Sequence, residues 1–261
     1  MTTLAHIDGL LLDMDGVLVM SWRPLPGAAA AVTRLHAAGV PLRVVTNTTA
    51  LSRARFGAVL REAGFPFADA DILTASVATG AWLREQRPGA RVFHLGDAQP
   101  EDLEGVDLVG FDDEPQIVVL SGSDESFVFE TFNRVLAALR GGAELVAMHR
   151  NLSWMTRRGE KLAAGAYLLG LEAATGLEAV VLGKPAPEAF RAGLDALGLP
   201  PERVAMVGDD VENDVLAAQE LGITGVLVRT GKYREETLAR ASGPPDVIVD
   251  SIADVQGLLG A

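Results

Sequence analysis

The segment Leu10–Gly16 reads LLLDMDG and indicates the fold class of the chain. Its three leucines form a short apolar run of the kind found in buried parallel strands. Two aspartates, Asp13 and Asp15, follow this run, and a glycine comes directly after them. Ligands of open α/β sheets bind outside the carboxyl ends of the strands, which is where these two carboxylates fall. The segment therefore predicts a buried strand whose end carries two acidic side chains.

Similar apolar runs recur along the chain and alternate with stretches of helical spacing. The predicted strands of this set are Gly9–Leu12, Val40–Val45, Val204–Val207, Gly225–Val228 and Val247–Val249. The predicted helices are Pro26–Gly39, Ser52–Gly64, Pro187–Gly198 and Val211–Leu221. Alternation of strand and helix implies right-handed crossovers and a parallel sheet that is covered on both faces. We therefore predict an α/β fold with a doubly wound parallel sheet.

The middle of the chain repeats this alternation with elements of its own. Its predicted helices are Ala75–Gln86, Phe127–Arg140 and Lys161–Thr175. Its predicted strands are Arg91–Leu95, Ile117–Leu120 and Glu144–Ala147, and the acidic stretch Asp97–Glu114 is interpreted as a surface excursion. Together these elements would form a unit of about 100 residues, an ordinary domain size. We predict a core of residues 1–76 and 182–261, interrupted by an inserted domain of residues 77–181.

Composition and charge exclude several classes of function. The chain has 261 residues, of which 49% are hydrophobic and 22% charged, which is ordinary globular usage. A net charge of −13 disfavours binding to nucleic acid, because the phosphate backbone carries the same sign. The absence of cysteine excludes disulfides, thiolate nucleophiles and cysteine zinc sites. No signal-peptide pattern or long apolar run is found, so we predict a cytoplasmic protein that binds neither membrane nor nucleic acid.

The spacing of Asp13 and Asp15 has a chemical consequence. Side chains one residue apart point the same way in extended backbone, so the two carboxylates would face one space. Close like charges raise a pKa unless a cation lies between them. Mg²⁺ is the natural partner because it is a hard ion that takes oxygen ligands. The pair therefore indicates a magnesium site, although two aspartates that cap a turn would explain the pattern equally well.

Three further polar motifs follow predicted strands. The hydroxyl and amide groups of the first can donate hydrogen bonds to a phosphoryl oxygen at a helix N-terminus. The lysine of the second can balance carboxylates, and the carboxylate of Asp209 in the third would face the same sheet edge as Asp13. Each motif alone also fits an ordinary role, such as helix capping or a solvated surface charge. The residues concerned are Thr46, Asn47 and Thr48, then Lys184, and then Asp209 and Asp214. Asp214 lies in the first turn of the next predicted helix, and the neighbouring Asp210 is expected to face solvent.

The order of the four motifs resembles that of the haloacid dehalogenase (HAD) superfamily, and the match spans the whole chain. The gap between the first two motifs admits one helix, whereas the gap between Asn47 and Lys184 holds a domain. This arrangement is similar to the class IIA phosphatases, which have a Rossmann-like core and an inserted type A C2 cap domain. The runs Thr46–Thr49, Gly208–Asp210 and Arg229–Arg234 most resemble the phospholysine phosphohistidine inorganic pyrophosphate phosphatase and p-nitrophenyl phosphatase-like branch.

The resemblance implies a Mg²⁺-dependent phosphatase that acts on small phosphorylated metabolites. Asp13 would be the nucleophile that forms an aspartyl-phosphate, and Asp15 would be the general acid and base. Mg²⁺ would be held by the carboxylates of Asp13 and Asp209 and by the main-chain carbonyl of Asp15. Lys184 would act as a catalytic cation. The substrate-binding residues would be Thr46, Asn47, Thr48 and Lys184, with Asp214 in support.

Other functions stay open on the sequence. A dehalogenase of the same superfamily uses an aspartate nucleophile but needs neither Asp15 nor Mg²⁺. Another phosphotransferase activity is also open, but a phosphomutase usually carries its cap between the first two motifs, where this chain has no room. A non-catalytic phosphoacceptor module, resembling a response-regulator receiver, is much shorter and carries its acidic pair apart from the phosphoacceptor.

The substrate itself is not determined by the sequence. Sugar phosphates, pyridoxal phosphate, pyrophosphate, phosphoamino acids and nucleoside monophosphates are all candidates. The loop Met148–Asn151 is the candidate substrate-facing segment of the cap. A homodimer is also left open, since type A caps often pair.

Overall fold

The computed structural model describes residues 4–156 and 159–259. Within these ranges the chain divides into two compact units. The first takes the residues up to Thr46, residues 53–73 and the residues from Lys184 onward, and the second takes residues 47–52 and 74–183. The boundaries expected from the sequence stay a prediction, and they differ from this division mainly at residues 47–52. No helix among the described residues is long and apolar enough to cross a membrane.

The elements are numbered in chain order. The strands are β1 Gly9–Leu12, β2 Val19–Met20, β3 Arg23–Pro24, β4 Leu42–Thr46, β5 Ile72–Thr74, β6 Arg91–Leu95, β7 Asp107–Leu108, β8 Ile117–Leu120, β9 Glu144–Ala147, β10 Ser153–Thr156, β11 Gly159–Leu162, β12 Val180–Val181, β13 Val204–Gly208, β14 Thr224–Val228 and β15 Val247–Val249. The α-helices are α1 Ala28–Ala37, α2 Arg53–Glu62, α3 Ala75–Gln86, α4 Phe129–Arg140, α5 Ala164–Thr175, α6 Pro187–Leu197, α7 Ala217–Gln219 and α8 Glu235–Ala239. Five short 3₁₀ segments and one π-helical turn, Val211–Leu216, complete the described part of the chain.

The sheet of the first unit places β1 between β13 and β4. Its strand order is β15-β14-β13-β1-β4-β5, and β1 pairs in parallel with both neighbours. Leu12 is in register with Val207 on one side and with Val44 on the other. Because parallel strands end at the same edge of a sheet, the residues that follow β1, β13 and β4 lie along one edge.

Burial explains why the central strands are continuous apolar runs. Helices and loops cover both faces of this sheet, so the side chains of β1 and β13 are buried whichever way they point. Leu11 and Met206 share one core cluster with Phe190 of α6. This packing holds the ends of β1 and β13 in place.

The sheet of the second unit has the strand order β12-β9-β8-β6-β7, and its paired strands are parallel. Alternate residues of β8 pack in different hydrophobic clusters, because successive side chains of a strand point to opposite faces of the sheet. Val118 and Leu120 pack with residues of α4 and α5, whereas Ile117 and Val119 pack with residues of α3. The predicted α/β class with parallel sheets is therefore confirmed.

Some predicted element boundaries are wrong. The helix predicted for Lys161–Thr175 begins only at Ala164, because the preceding residues belong to β11, which pairs antiparallel with β10 in a hairpin. Trp154 and Leu162 of this hairpin are exposed, so these two apolar residues do not follow the pattern of a buried strand. The acidic stretch expected to be a surface excursion contains the edge strand β7 and the buried Leu103.

The helix predicted for Val211–Leu221 also differs from expectation. Its first part is the π-helical turn, and α7 follows. The amide of Val215 donates to the carbonyl of Asp210 at 3.3 Å, five residues back, which is the hydrogen bond of a π-helix. The Asp210 carboxylate also accepts from the amide of Asn213 at 3.1 Å. The Asp210 side chain therefore caps the first turn, which is wider than that of an α-helix. The spacing of apolar residues in the sequence does not reveal this π-helical turn.

Candidate active site

Asp13 lies directly after β1 and is almost fully buried. Its amide donates to the carbonyl of Val207 at 2.9 Å, which extends the pairing of β1 with β13 by one residue. Only 8% of Asp13 is exposed. Since β1 is paired on both sides, the backbone of Asp13 has little freedom, and its carboxylate is held at the sheet edge.

Lys184 precedes α6 and contacts two of the predicted acidic residues. Its Nζ lies 2.6 Å from Oδ1 of Asp13 and 2.8 Å from Oδ1 of Asp214. Burial by itself lowers the pKa of Lys184, but the charges of Asp13 and Asp214 outweigh that effect and raise the pKa above its usual value. The ammonium group therefore stays protonated and compensates negative charge inside the protein.

Asp209 follows β13 and is also buried. Its Oδ2 accepts a hydrogen bond from the amide of Lys232 at 2.7 Å. Its Oδ1 is buried and has no hydrogen-bond partner among the residues that the structure describes. Burial raises the pKa of Asp209, and the nearby charges of Asp13 and Asp214 raise it further. An acceptor atom in this situation is costly unless a cation or a proton satisfies it.

The carboxylates of Asp13, Asp209 and Asp214 form one buried group. Each offers an oxygen, and these oxygens lie within 4.8 Å of one another. Lys184 supplies a single positive charge against three carboxylates, so the group has room for a divalent cation on electrostatic grounds. Hard cations such as Mg²⁺ prefer oxygen donors. The residues present therefore fit a site for such an ion.

The remaining predicted residues lie in different surroundings. Asp15 keeps contact with solvent, but the protein around it removes much of its hydration, and this loss together with the charge of Asp13 raises its pKa to about 6. Thr46 is buried at the end of β4, next to β1 in the sheet. Asn47 and Thr48 belong to the second unit, and their assignment to substrate binding stays a prediction.

Comparison with known proteins assigns the family. A family model described as haloacid dehalogenase-like hydrolase matches residues 10–112, and a second, described as HAD-hydrolase-like, matches residues 181–255. Human haloacid dehalogenase-like hydrolase domain-containing protein 2 is 32% identical to the chain, over 94% of this chain and 93% of its own length. The chain belongs to the haloacid dehalogenase-like hydrolase family.

Two further members of this family are also similar to the chain. The phospholysine phosphohistidine inorganic pyrophosphate phosphatase of Danio rerio is 34% identical over 96% of this chain and 93% of its own. The solved p-nitrophenyl phosphatase of Archaeoglobus fulgidus is 31% identical and superposes with a TM-score of 0.90, covering 97% of this chain and 99% of that one. The predictions of the family and of a hydrolase from its phosphatase group are confirmed.

The segment after β14 contacts the site. The sequence assigned Arg229–Arg234 to the family resemblance but gave the run no role in the site. The hydroxyl of Thr230 donates to the carbonyl of Gly16, and the amide of Lys232 holds Asp209. The Nζ of Lys232 lies 3.2 Å from Oδ2 of Asp210, which is therefore engaged by a cation as well as by Asn213. A glycine turn after a parallel strand, at the same sheet edge as the other motifs, is the feature that could have placed this segment in the site.

The candidate substrate-facing loop of the second unit is mostly engaged with its own unit. Met148 and His149 are buried, and Arg150 forms a paired hydrogen bond with the carboxylate of Glu172 at 2.8 and 2.6 Å. Burial lowers the pKa of His149 to about 4. A substrate-contacting role for this loop stays a prediction.

The buried His149 makes stability depend on pH. In the unfolded chain the pKa of histidine is about 6.5, so between pH 6.5 and 4 the unfolded state binds a proton that the folded state excludes. We therefore expect the contribution of His149 to the free energy of unfolding to fall as the pH drops through this range, by up to about 1.4 kcal/mol per pH unit. Burial lowers the pKa of His94 to about 4 as well, so His94 acts in the same direction, whereas the raised pKa values of the carboxyl groups of Asp15, Asp97, Asp209 and Asp214 act in the opposite direction.

Urea unfolding at pH 7.5, 6 and 5 measures this slope. His149→Asn keeps a hydrogen-bond acceptor for the amide of Asn151 and removes the titrating ring. The slope of the free energy of unfolding against pH should therefore decrease by nearly one proton relative to the natural chain. His36→Asn, at an exposed position of α1, is the control and should keep the slope of the natural chain. An unchanged slope in His149→Asn would contradict the assignment.

Proposed function

We propose that this haloacid dehalogenase-like hydrolase is a Mg²⁺-dependent phosphatase of small phosphorylated metabolites, working through an aspartyl-phosphate on Asp13. The buried group of Asp13, Lys184, Asp209 and Asp214 carries the proposal. It combines a carboxylate at a strand end, a protonated lysine and an all-oxygen environment for a hard cation. The phosphatase names of similar proteins support the same reading.

In the first step Asp13 would attack the phosphorus of the substrate. A bond forms between a carboxylate oxygen and phosphorus while the bond from phosphorus to the leaving oxygen breaks, which gives an aspartyl-phosphate and an alcohol. Lys184 supports this step because its charge lies beside the attacking carboxylate of Asp13 and would offset the negative charge of the phosphoryl group. Thr46, Asn47 and Thr48 would donate hydrogen bonds to the phosphoryl oxygens.

Asp15 would move the protons in both steps. A carboxyl group with a pKa of about 6 is partly protonated near neutral pH, which suits an acid that gives a proton to the leaving oxygen. The resulting carboxylate would then take a proton from the water that attacks the aspartyl-phosphate. Release of inorganic phosphate returns Asp13 and Asp15 to their starting forms.

The cation would be held by this chain's own oxygens. The proposed ligands are the carboxylates of Asp13 and Asp209 and the main-chain carbonyl of Asp15, and Asp214 supports them by holding Lys184. When bound, Mg²⁺ supplies charge neutralisation for the phosphoryl oxygens and for the carboxylate cluster. The Oδ1 atom of Asp209 is a suitable ligand because no described residue donates a hydrogen bond to it.

The second unit would act as a cap that selects the substrate. Its own parallel sheet makes it a separate folded body, as expected for a cap inserted into a hydrolase core. A screen for the substrate should rank candidates by kcat/KM with and without Mg²⁺. The candidates are sugar phosphates, pyridoxal phosphate, pyrophosphate, phosphoamino acids and nucleoside monophosphates. A homodimer in the cytoplasm remains part of the proposal.

Chelation tests the cation directly. We expect EDTA to abolish phosphate release from p-nitrophenyl phosphate, because the carboxylate cluster then repels the anionic substrate, and we expect added Mg²⁺ to restore it. The control is EDTA already saturated with Mg²⁺, which should leave the rate unchanged. Full activity after exhaustive chelation would contradict the proposed role of the cation.

A further inference from the structure

Residues 230–232 hold two parts of the site at once. The amide of Lys232 donates to Oδ2 of Asp209 at 2.7 Å, and the hydroxyl of Thr230 donates to the carbonyl of Gly16. Asp209 follows β13, whereas Gly16 belongs to the loop after β1. One short segment therefore connects the acidic loop with the chain directly after Asp15.

The hydrogen bond from Lys232 distinguishes the two oxygens of Asp209. Oδ2 is occupied by a directional N–H donor, which restricts rotation of the carboxylate. Oδ1 is buried without a hydrogen-bond partner among the described residues, and the carboxylate belongs to the cluster with Asp13 and Asp214. The contact leaves Oδ1 as the oxygen available to a cation.

Two glycines pack directly against the same carboxylate. A Cβ atom added to Gly16 or to Gly231 would lie 1.9 Å from Oδ2 of Asp209, far inside contact distance. Both glycines also have positive φ angles, +84° and +62°, which residues with a side chain rarely adopt. The Asp209 carboxylate is thus enclosed by two glycine backbones and held by one amide, so its orientation depends on this segment.

We propose that Thr230, Gly231 and the amide of Lys232 form a positioning segment that orients Asp209 and thereby determines the Mg²⁺ affinity of the site. The inference rests on the proposed function, in which Asp209 is a ligand of the ion. Groups that orient metal ligands through hydrogen bonds commonly change metal affinity when they are altered. If the turn served only to connect β14 with α8, substitutions in it would change the stability of the protein and leave its Mg²⁺ affinity unchanged.

The first test compares two glycines with nearly the same backbone angle. Gly231→Ala places a methyl group against Asp209, whereas Gly198→Ala introduces similar strain, at φ +66°, with nothing within 4 Å of the added atom. Isothermal titration calorimetry of Mg²⁺ into the metal-free full chain gives the dissociation constant. We expect Gly231→Ala to weaken Mg²⁺ binding by about 10- to 100-fold and Gly198→Ala to leave it unchanged.

The second test removes and restores one hydroxyl. Thr230→Val keeps the shape of the side chain but loses the hydrogen bond to Gly16, whereas Thr230→Ser keeps that bond. We expect Thr230→Val to weaken Mg²⁺ binding and to raise the Mg²⁺ concentration that gives half-maximal phosphatase activity. The KM for p-nitrophenyl phosphate at saturating Mg²⁺ should stay near that of the natural chain, and Thr230→Ser should bind Mg²⁺ as the natural chain does.

Several outcomes would overturn the inference. If folded Gly231→Ala and Thr230→Val bind Mg²⁺ as the natural chain does, the segment has no positioning role, and the proposed function is unaffected. An equal loss in Gly198→Ala would assign the effect to backbone strain and overturn the inference too. If Gly231→Ala fails to fold by circular dichroism, the Thr230 pair decides. Absence of Mg²⁺ binding and of phosphatase activity in the natural chain would overturn the proposed function, and this inference with it.

Discussion

Asp13→Asn should reduce kcat for p-nitrophenyl phosphate by about 10⁴-fold or more, because an amide cannot form the proposed aspartyl-phosphate. The substitution is nearly isosteric, and the new amide oxygen can still accept the hydrogen bond that Lys184 gives to Asp13. The fold should therefore be kept, so that the loss reports on chemistry. Steady-state phosphate release measures it.

A surface aspartate provides the matched control. Asp8 lies just before β1, is exposed, and pairs with Arg203, so Asp8→Asn should leave kcat unchanged. Intact-mass measurement after acid quenching adds a second readout, since the natural chain should carry a covalent phosphate during turnover and Asp13→Asn should not. Turnover retained in Asp13→Asn would exclude covalent catalysis by Asp13. A long-lived phosphoprotein without turnover would favour a phosphoacceptor module instead.

Lys184→Met should lower the free energy of unfolding of the metal-free chain by about 3–5 kcal/mol, the usual cost of removing one partner from a buried ion pair. The variant leaves Asp13 and Asp214 buried without the ammonium group that both now contact. Saturating Mg²⁺ should restore part of the loss, because the ion would take over some of the charge compensation. Urea unfolding with and without Mg²⁺ measures both effects.

A double variant separates charge from packing in this experiment. Asp214→Asn in the Lys184→Met background removes one uncompensated carboxylate. The double variant should therefore lose less free energy of unfolding than the sum of the losses in the two single variants. Lys161→Met, at an exposed lysine of β11, is the control and should change the free energy of unfolding little. A loss in Lys184→Met no larger than that of this control would show that Lys184 does not compensate buried charge.

Much of the fold could be predicted because burial on both faces of a parallel sheet imposes a local pattern. The runs at Gly9–Leu12 and Val247–Val249 form strands with the predicted bounds, and Ala75–Gln86 forms the predicted helix. The four motifs could be associated because each follows such a run or begins a helix. The family resemblance that joined them is confirmed by the comparisons.

Other elements could not be predicted because their causes are not periodic. In the hairpin of β10 and β11 the apolar side chains of Trp154 and Leu162 are exposed, so these two residues do not show the burial pattern that identifies a strand. The π-helical turn arises from the carboxylate and carbonyl of Asp210, which accept hydrogen bonds from residues farther along the turn. The assignment of residues 47–52 to the second unit depends on contacts such as that of Thr49 with Asp97, 48 residues away.

Residue types and their spacing were sufficient to indicate the parallel sheet, the acidic strand ends and the family, since apolar runs and side-chain chemistry are local properties of the chain. The distances within the site were decided by packing. Asp13 and Lys184 are 171 residues apart along the chain, and the tertiary fold brings their charged atoms to 2.6 Å. The orientation of Asp209 depends on the amide of Lys232, a main-chain group of a kind that nearly every residue carries. Such a group leaves no mark in the amino-acid sequence, so only the folded chain reveals which amide makes the contact.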